Sequence, residues 1–377
     1  MFKKTLLAVA CCSLTSIAFA DNLDGRSAGV SGAGLASDNF ADGIGLNPAS
    51  SARMPSGRGY SLQLGVSAFA SDENELLDNA SDLVDLFDDY EVSGVISDSA
   101  ARNRAASYLS EMAGNSAQIN ASAGFQLNLP NRFVAAALFA NAELGVGLTS
   151  DVRQSDITLL QGADPVDTDQ LQSSLYARGA LVTDFGLNLA RQYDNTVYGV
   201  NIKQQEVKTI DYSASVNDYD DDDFDADAYT LEDSNINLDL GVQHIIGNYS
   251  LGATIHNAIK QDYKTVSGRT VSIEPRLSLG AAYRNDWFSG SFDIDANKTE
   301  NLATGGESQF ARVGIQLNAW NWAQLRLGYR TDLKDQIEDT ASVGLGFSPF
   351  GVIMLDVSAF AGSSNTVGAA IRLGAAW

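Results

Sequence analysis

The chain has 377 residues, 24 Lys plus Arg against 47 Asp plus Glu, and a formal net charge of −23. That acid excess leaves no clustered base for phosphate backbones, so nucleic-acid binding is excluded. Beyond the N-terminus no run approaches the roughly 18–20 apolar residues of a spanning helix. Plentiful Gly beside scarce Pro favours many short strands joined by turns.

Residues 1–20 have the layout of a secretory signal. Lys3 and Lys4 form the basic start, Leu6 to Cys12 the apolar stretch, and Ala18-Phe19-Ala20 the small-x-small cleavage site before Asp21. Cleavage before Cys11, as in a lipoprotein, is the alternative, and it leaves a stunted apolar stretch. With cleavage after Ala20 both cysteines, Cys11 and Cys12, depart. Disulfides, a thiol nucleophile and thiolate metal sites are then excluded. Residues 21–57 are rich in Gly, Ala, Ser and Asn without a sustained strand. Too apolar for a free tail, they are expected to fold into an enclosed lumen as a hatch or plug.

From residue 58 onward the pattern is period two. Near 58–70, Tyr60, Leu62, Leu64, Val66 and Ala68 alternate with Ser61, Gln63, Gly65 and Ser67. Similar segments fall at 117–129, 133–147, 175–190, 196–212, 234–246, 249–259, 275–284, 287–297, 309–319, 323–332, 340–348, 351–361 and 366–377. One face suits lipid and the other an interior, and the even number suits a closed barrel. The expected fold is all-β: a transmembrane antiparallel barrel of about 14 strands over 58–377. Residues 72–113 break the alternation with helical spacing, through Leu76, Leu77, Leu83, Val84, Leu86 and Phe87, then Ala100 to Met112. They predict one or two amphipathic helices in the first long loop, as a lid over the mouth or as a surface insertion.

The connections alternate in length. Tight ones fall at Pro130-Asn131, Gln192 to Asn195, Gly247-Asn248, Asn285-Asp286, Trp320 to Trp322 and Pro349-Phe350, with longer polar ones between. Such sorting places turns in the periplasm and long loops outside a bacterial outer membrane. Aromatics at strand ends, among them Tyr60, Phe133, Tyr249, Trp287 and Phe350, suit interfacial girdles. Lipid, lipopolysaccharide and the outer-membrane assembly machinery are the expected partners.

Candidate chemistry is sparse. The acidic run Asp218, Asp220 to Asp223, Asp225, Asp227, Glu232 and Asp233 fails as an EF-hand, with Asp223 at the sixth position and Tyr229 at the twelfth. It reads as a solvated loop or a weak cation bridge to lipopolysaccharide. His244 falls on the lipid face and His256 on the lumen face, and no G-x-S-x-G accompanies them. No enzyme, metal or cofactor is expected. By parity the lumen receives Arg178, Asp184, Lys203, Asp239, Arg276, Arg284, Asp293, Asp295, Arg312, Arg326, Arg330, Asp356 and Arg372. This network either braces barrel and plug or forms a polar gate.

Two stretches carry a resemblance. Gly25 to Ala36, which includes Gly32 and Gly34, followed by Asp42 and Asn47-Pro48-Ala49, resembles the start of FadL-like outer-membrane transporters. The C-terminal third resembles the conjugal-transfer TraF-type barrel proteins. It does so through Gly252 to Asn257, Ala282 to Trp287, Asp293-Ile294-Asp295, Leu325 to Asp332 and Gly344 to Pro349. The thioredoxin-like protein that shares the TraF name needs a redox cysteine and is not meant. The resemblance implies a fourteen-stranded barrel with a glycine-rich hatch ending in the Asn-Pro-Ala turn. It implies passive transport of a hydrophobic small molecule, and assembly signalled by the terminal aromatic Trp377. The alternative is a structural or conjugation-associated envelope role.

Overall fold

In the computed structural model the described residues are 24–37, 43–53, 59–90, 93–129, 133–215, 226–301, 306–319, 322–363 and 365–377. The signal peptide, Asp42, the turn at Pro130-Asn131, Trp320 and Asp218 to Asp225 lie outside them.

Fourteen antiparallel strands close into one barrel. They are β1 (Ser61–Asp72), β2 (Ser116–Leu129), β3 (Ala135–Asp151), β4 (Ser174–Tyr193), β5 (Thr196–Ser215), β6 (Thr230–Ile246) and β7 (Tyr249–His256). The circuit continues with β8 (Arg276–Arg284), β9 (Phe288–Asp295), β10 (Phe310–Ala319), β11 (Ala323–Asp332), β12 (Thr340–Phe347), β13 (Ile353–Gly362) and β14 (Val367–Ala376). The first and last strands close the circuit, in register from Ser61 opposite Ala376 to Ala70 opposite Val367. Closure leaves no unpaired sheet edge, the condition for placing strands in hydrocarbon.

The period-two pattern explains the wall. On β14, Val367, Ala369, Ile371 and Leu373 are exposed, while Ala370, Arg372 and Gly374 are buried. Leu64, Val66, Phe185, Ile236, Leu251 and Leu279 extend the exposed apolar band around the circumference. So much contiguous apolar surface is unstable in water and suited to a lipid layer.

The long-loop rim carries a built cap. Helices α1 (Leu76–Asp88) and α2 (Ser99–Met112) form where helical spacing was expected, and Asp98 caps α2 by accepting from the Ala100 amide at 3.0 Å. Leu76, Ala80, Leu83 and Phe87 on α1 meet Ala101, Ala105, Leu109 and Met112 on α2 in one buried cluster. Helix α3 (Gln154–Leu160), too short within the polar connection 148–174 to show a helical period, adds Ile157 and Leu160. Buried Arg102 ties the two loops together. Its Nη1 donates to the Ser97 carbonyl at 2.8 Å, and its Nη2 to the Gly162 and Ala163 carbonyls at 3.2 and 3.3 Å.

Two further hairpins also escaped the sequence reading. The hairpin of 261–264 with 270–273 buries Tyr263, Val271 and Ile273 against Ala180, Val182 and Val207, the inward residues of β4 and β5. It therefore folds into the mouth of the barrel. Residues 299–300 and 307–308 pair beside it.

Candidate functional site in the lumen

Charged side chains on the inner wall are buried, so each needs a partner. Two groups face each other across the lumen, and nearer the long-loop rim Asp211 pairs with Arg178 at 3.4 Å. On β11, β13 and β14, Asp356 bridges Arg326 and Arg372, at 2.7 Å to Arg326 Nη1 and 2.6 Å to Arg372 Nη2. Arg372 Nη1 also reaches Asp24 of the N-terminal segment at 3.2 Å. On the neighbouring strands Arg312 pairs with Asp295 at 3.0 Å. The guanidiniums of Arg312 and Arg330 lie 4.9 and 5.0 Å from the centroid of Phe310, within cation–π range. Across the lumen Lys203 sits between Asp184 at 2.7 Å and Asp239 at 3.3 Å, with His256 Nδ1 at 3.9 Å from Asp239.

The N-terminal segment is held by polar groups of the wall. Asp293 Oδ2 accepts from the Gly34 and Leu35 amides at 2.6 and 2.9 Å. Ser358 Oγ donates to the Gly25 carbonyl at 2.6 Å, and the Ser31 and Ser342 hydroxyls lie 2.7 Å apart. Gln243 Nε2 donates to the Leu35 carbonyl at 3.0 Å, and Ser250 Oγ to that of Ala36 at 2.5 Å. The second half, Gly43 to Arg53, seats on β2 and β4 to β6. Asn47 Oδ1 accepts from the Ala49 amide, and Asn47 Nδ2 donates to the Leu35 and Val242 carbonyls. Asn188 Nδ2 donates to the Pro48 carbonyl at 2.9 Å, and Gln126 Oε1 accepts from the Ile44 amide at 3.2 Å. Every one of these bonds satisfies a buried backbone or side-chain group that has left water.

Close approach is permitted by glycines on the wall. A Cβ on Gly241 would sit 2.1 Å from Asn47 Oδ1, one on Gly199 2.2 Å from the Pro48 carbonyl carbon, and one on Gly328 2.3 Å from that of Val30. These distances are below van der Waals contact, so a side chain at any of them displaces the segment. Within the segment, Gly32 at φ 78° and Gly34 at φ 149° take backbone angles that L side chains rarely adopt.

Outward of the segment lies a cavity of about 120 Å³. Its lining is polar: the carboxylates of Glu143, Asp184, Asp239, Glu274 and Glu300, the basic Lys203 and Arg276, and His256. Apolar lining is confined to Val182, Ile273 and Phe310. At its edge Lys260 Nζ donates to Glu274 Oε1 at 2.8 Å, and that bond raises the Lys260 pKa above its ordinary value. A second cavity of about 50 Å³ lies nearer the short-turn rim, between the segment and β1, β2, β3 and β14.

The structure thus brings together most of the inward charges expected from parity: Arg312 with Asp295, Arg326 and Arg372 with Asp356, Asp293 with the segment, and Arg276 in the outer cavity. Arg284 differs. It is exposed at the last residue of β8, where it lines a cavity with Arg26, Val30 and Gly34 of the segment and with Arg326. Gly32, Gly34, Asn47, Pro48 and Ala49 lie in the segment at the wall. Trp377 is exposed at the short-turn rim and stacks on Tyr60 at 5.9 Å. His244 is on the outer face, with Thr196 Oγ1 2.8 Å from its Nδ1. Asp24, Asn188, Asn201, Gln243 and the wall glycines were not singled out from sequence. For the strand residues inward parity was the only signal, shared with many bystanders, and Asp24, which lies before the barrel, carried none.

Solved structures of the same architecture exist. The CymD monoaromatic hydrocarbon channel matches at 14% identity and TM-score 0.60, covering 94% of this chain and 98% of that one. A Pseudomonas aeruginosa FadL homologue matches at 12% and 0.56, covering 96% and 99%. The Pseudomonas putida toluene transporter TodX matches at 11% and 0.54, covering 94% and 97%. At these identities the likeness is one of fold. A search of curated proteins found no match. The family described as "F plasmid transfer operon, TraF, protein" matches residues 45–295, most of the chain, and it is to this family of barrel proteins that the chain belongs.

Proposed function

We propose that the protein is a passive outer-membrane channel, with short turns in the periplasm, long loops outside and a lumen narrowed by its N-terminal segment. The observation that carries this reading is the segment itself, hydrogen-bonded to inward side chains on both sides of a closed barrel. A barrel built only as a scaffold has no need of a wall of glycines shaped around an internal obstruction. The printed descriptions of CymD and TodX as a hydrocarbon channel and a toluene transporter support the transport role, and support apolar cargo as the resemblance implies. The cap speaks for itself less well as a capture site, because Leu83, Phe87, Leu109 and Met112 are buried in its own core. The rival reading is a structural envelope protein serving conjugation. The Asp24–Arg372–Asp356–Arg326 chain, buried but for its Asp24 end, fixes the segment to the wall, and with the family's description it favours this reading.

Excision of residues 21–45 separates the two. For a channel, the shortened protein in planar bilayers shows clearly higher conductance than the intact one while keeping its heat-modifiable mobility on gels. A folded variant whose conductance stays at baseline removes the plug and, with it, the channel reading.

A further inference from the structure

Toward the mouth the inner wall of β4 and β5 is mostly polar, through Arg178 and Asp184 on one strand and Gln205 and Asp211 on the other. Among them lies an apolar patch of three residues, Ala180, Val182 and Val207, with Val182 and Val207 opposite each other in the register. All three are at most 5% exposed, and the side chain that covers them comes from the mouth hairpin: Tyr263, itself 2% exposed. An apolar patch on a polar wall, with one polar group at its edge, has the make-up of a small-molecule seat. Here the chain's own phenol ring fills it.

That ring is lightly tied. Its hydroxyl accepts one long bond, from Asn235 Nδ2 at 3.5 Å. The hairpin that carries it pairs four residues with four, and a two-stranded ribbon has little stability of its own. The tip is latched to β5 by Thr209 Oγ1, which donates to the Lys264 carbonyl at 2.9 Å, and by Ser267 Oγ, which donates to Asp211 Oδ2 at 2.5 Å. Water can replace both bonds when they break. The root is held separately, by β6. Asp239 Oδ1 accepts from the Asn257 amide at 2.9 Å, Asn237 Oδ1 accepts from the Ile259 amide at 3.1 Å, and Asn257 makes the bend at φ 51°. The tip can therefore leave the wall while the root stays. Val182 and Ile273 also line the 120 Å³ cavity, so the seat borders open space.

Resting on the channel reading and its apolar cargo, we propose that Tyr263 is a built-in occupant of a cargo seat, and that a single-ring aromatic molecule of phenol size displaces it and binds against Ala180, Val182 and Val207. The class follows from the fit. The space is that of one substituted benzene ring, with apolar sides and the Asn235 amide at one end. A hydrated ion in that place would gain nothing from three apolar side chains and would lose water. The seat also supplies what the cap lacks, an apolar surface covered by a group that can move aside.

The probe is p-cresol, the tyrosine side chain as a free molecule. Equilibrium dialysis of radiolabelled p-cresol against the full-length protein in nanodiscs, with empty nanodiscs as the blank for lipid partition, should show saturable binding. Tyr263→Ala should bind about tenfold tighter, because the intact protein is competent only while its hairpin is out. Asp211→Cys combined with Ser267→Cys, oxidised and verified by gel shift, should lose binding and regain it on reduction, the reduced form being the control for the loss of Asp211. Heat-modifiable mobility shows that each variant is folded. No saturable binding, binding by Tyr263→Ala alone, or undiminished binding by the stapled protein would each overturn the proposal. Conductance of the 21–45 deletion is read separately. Raised conductance without p-cresol binding strikes the seat alone, and baseline conductance strikes the channel reading and the cargo role of the seat with it.

Discussion

Replacing Asp356 by Asn removes the one carboxylate that faces two buried guanidiniums. Arg326 Nη1 lies 2.7 Å from its Oδ1, and Arg372 Nε and Nη2 lie 3.0 and 2.6 Å from its Oδ2. All three side chains are at most 4% exposed, so water cannot take over the lost interaction. Breaking a buried pair by removing one partner costs about 3–5 kcal/mol. Two stranded cations place Asp356→Asn at the upper end, although Arg372 retains Asp24 and Gln63 Oε1. Since about 1.4 kcal/mol is a tenfold change, the folded population relative to unfolded should fall by more than two orders of magnitude. Urea unfolding in detergent micelles, followed by tryptophan fluorescence and gel mobility, measures it. Adding Arg326→Gln to Asp356→Asn should restore part of the stability, because it removes one stranded charge. A loss below about 0.5 kcal/mol for Asp356→Asn, within the range of ordinary surface substitutions, would refute the claim that this bridge holds the wall together.

Arg102→Leu leaves the Ile96, Ser97, Gly162 and Ala163 carbonyls without their donor, at a cost of roughly 1–3 kcal/mol confined to the loops. Limited proteolysis should accelerate between α2 and α3 while gel mobility of the barrel is unchanged, and an unchanged cleavage rate would count against the latch. Cysteines placed at 165–172 of intact cells should react with an impermeant thiol reagent, and one at Asn248 should not; the opposite labelling would invert the topology. Deleting Trp377 removes its stack on Tyr60 and its backbone bonds to Gly59 and Tyr60. The amount of heat-modifiable barrel in outer-membrane fractions should drop, and full recovery of folded protein would end its role as an assembly signal.

The barrel was legible because each strand faces two different media, and alternation between Ile371 and Arg372 or between Leu279 and Gly280 records that directly. Strand length was less so. β4 and β5 run on to Tyr193 and Ser215, three residues past the expected ends at 190 and 212, where neither face is buried. The small hairpins of the mouth left no trace, since strands of two to four residues are too short to show a period. They are held by contacts such as Tyr263 on Val182 and Val207, across long sequence gaps. In the lumen, parity found Asp356 and Arg372 but could not say which charge meets which. The roles of Gly199, Gly241 and Gly328 depend on what lies opposite them inside the barrel, and no local pattern encodes that.

The seat of the segment has a kinetic consequence. Asp24 is joined to Arg372 across 348 residues, and Gly25 to Ser358 across 333. Those contacts become available only when β13 and β14, the last strands made, stand in the wall. The residues that precede the whole barrel in the chain are therefore among the last to settle, waiting on the seam between β1 and β14. Contacts of such sequence separation are slow to form, because the chain entropy is surrendered before any bond rewards it. The finished interior thus acts as a record of completed assembly: a barrel with a missing or slipped terminal strand has nowhere to lodge its own beginning.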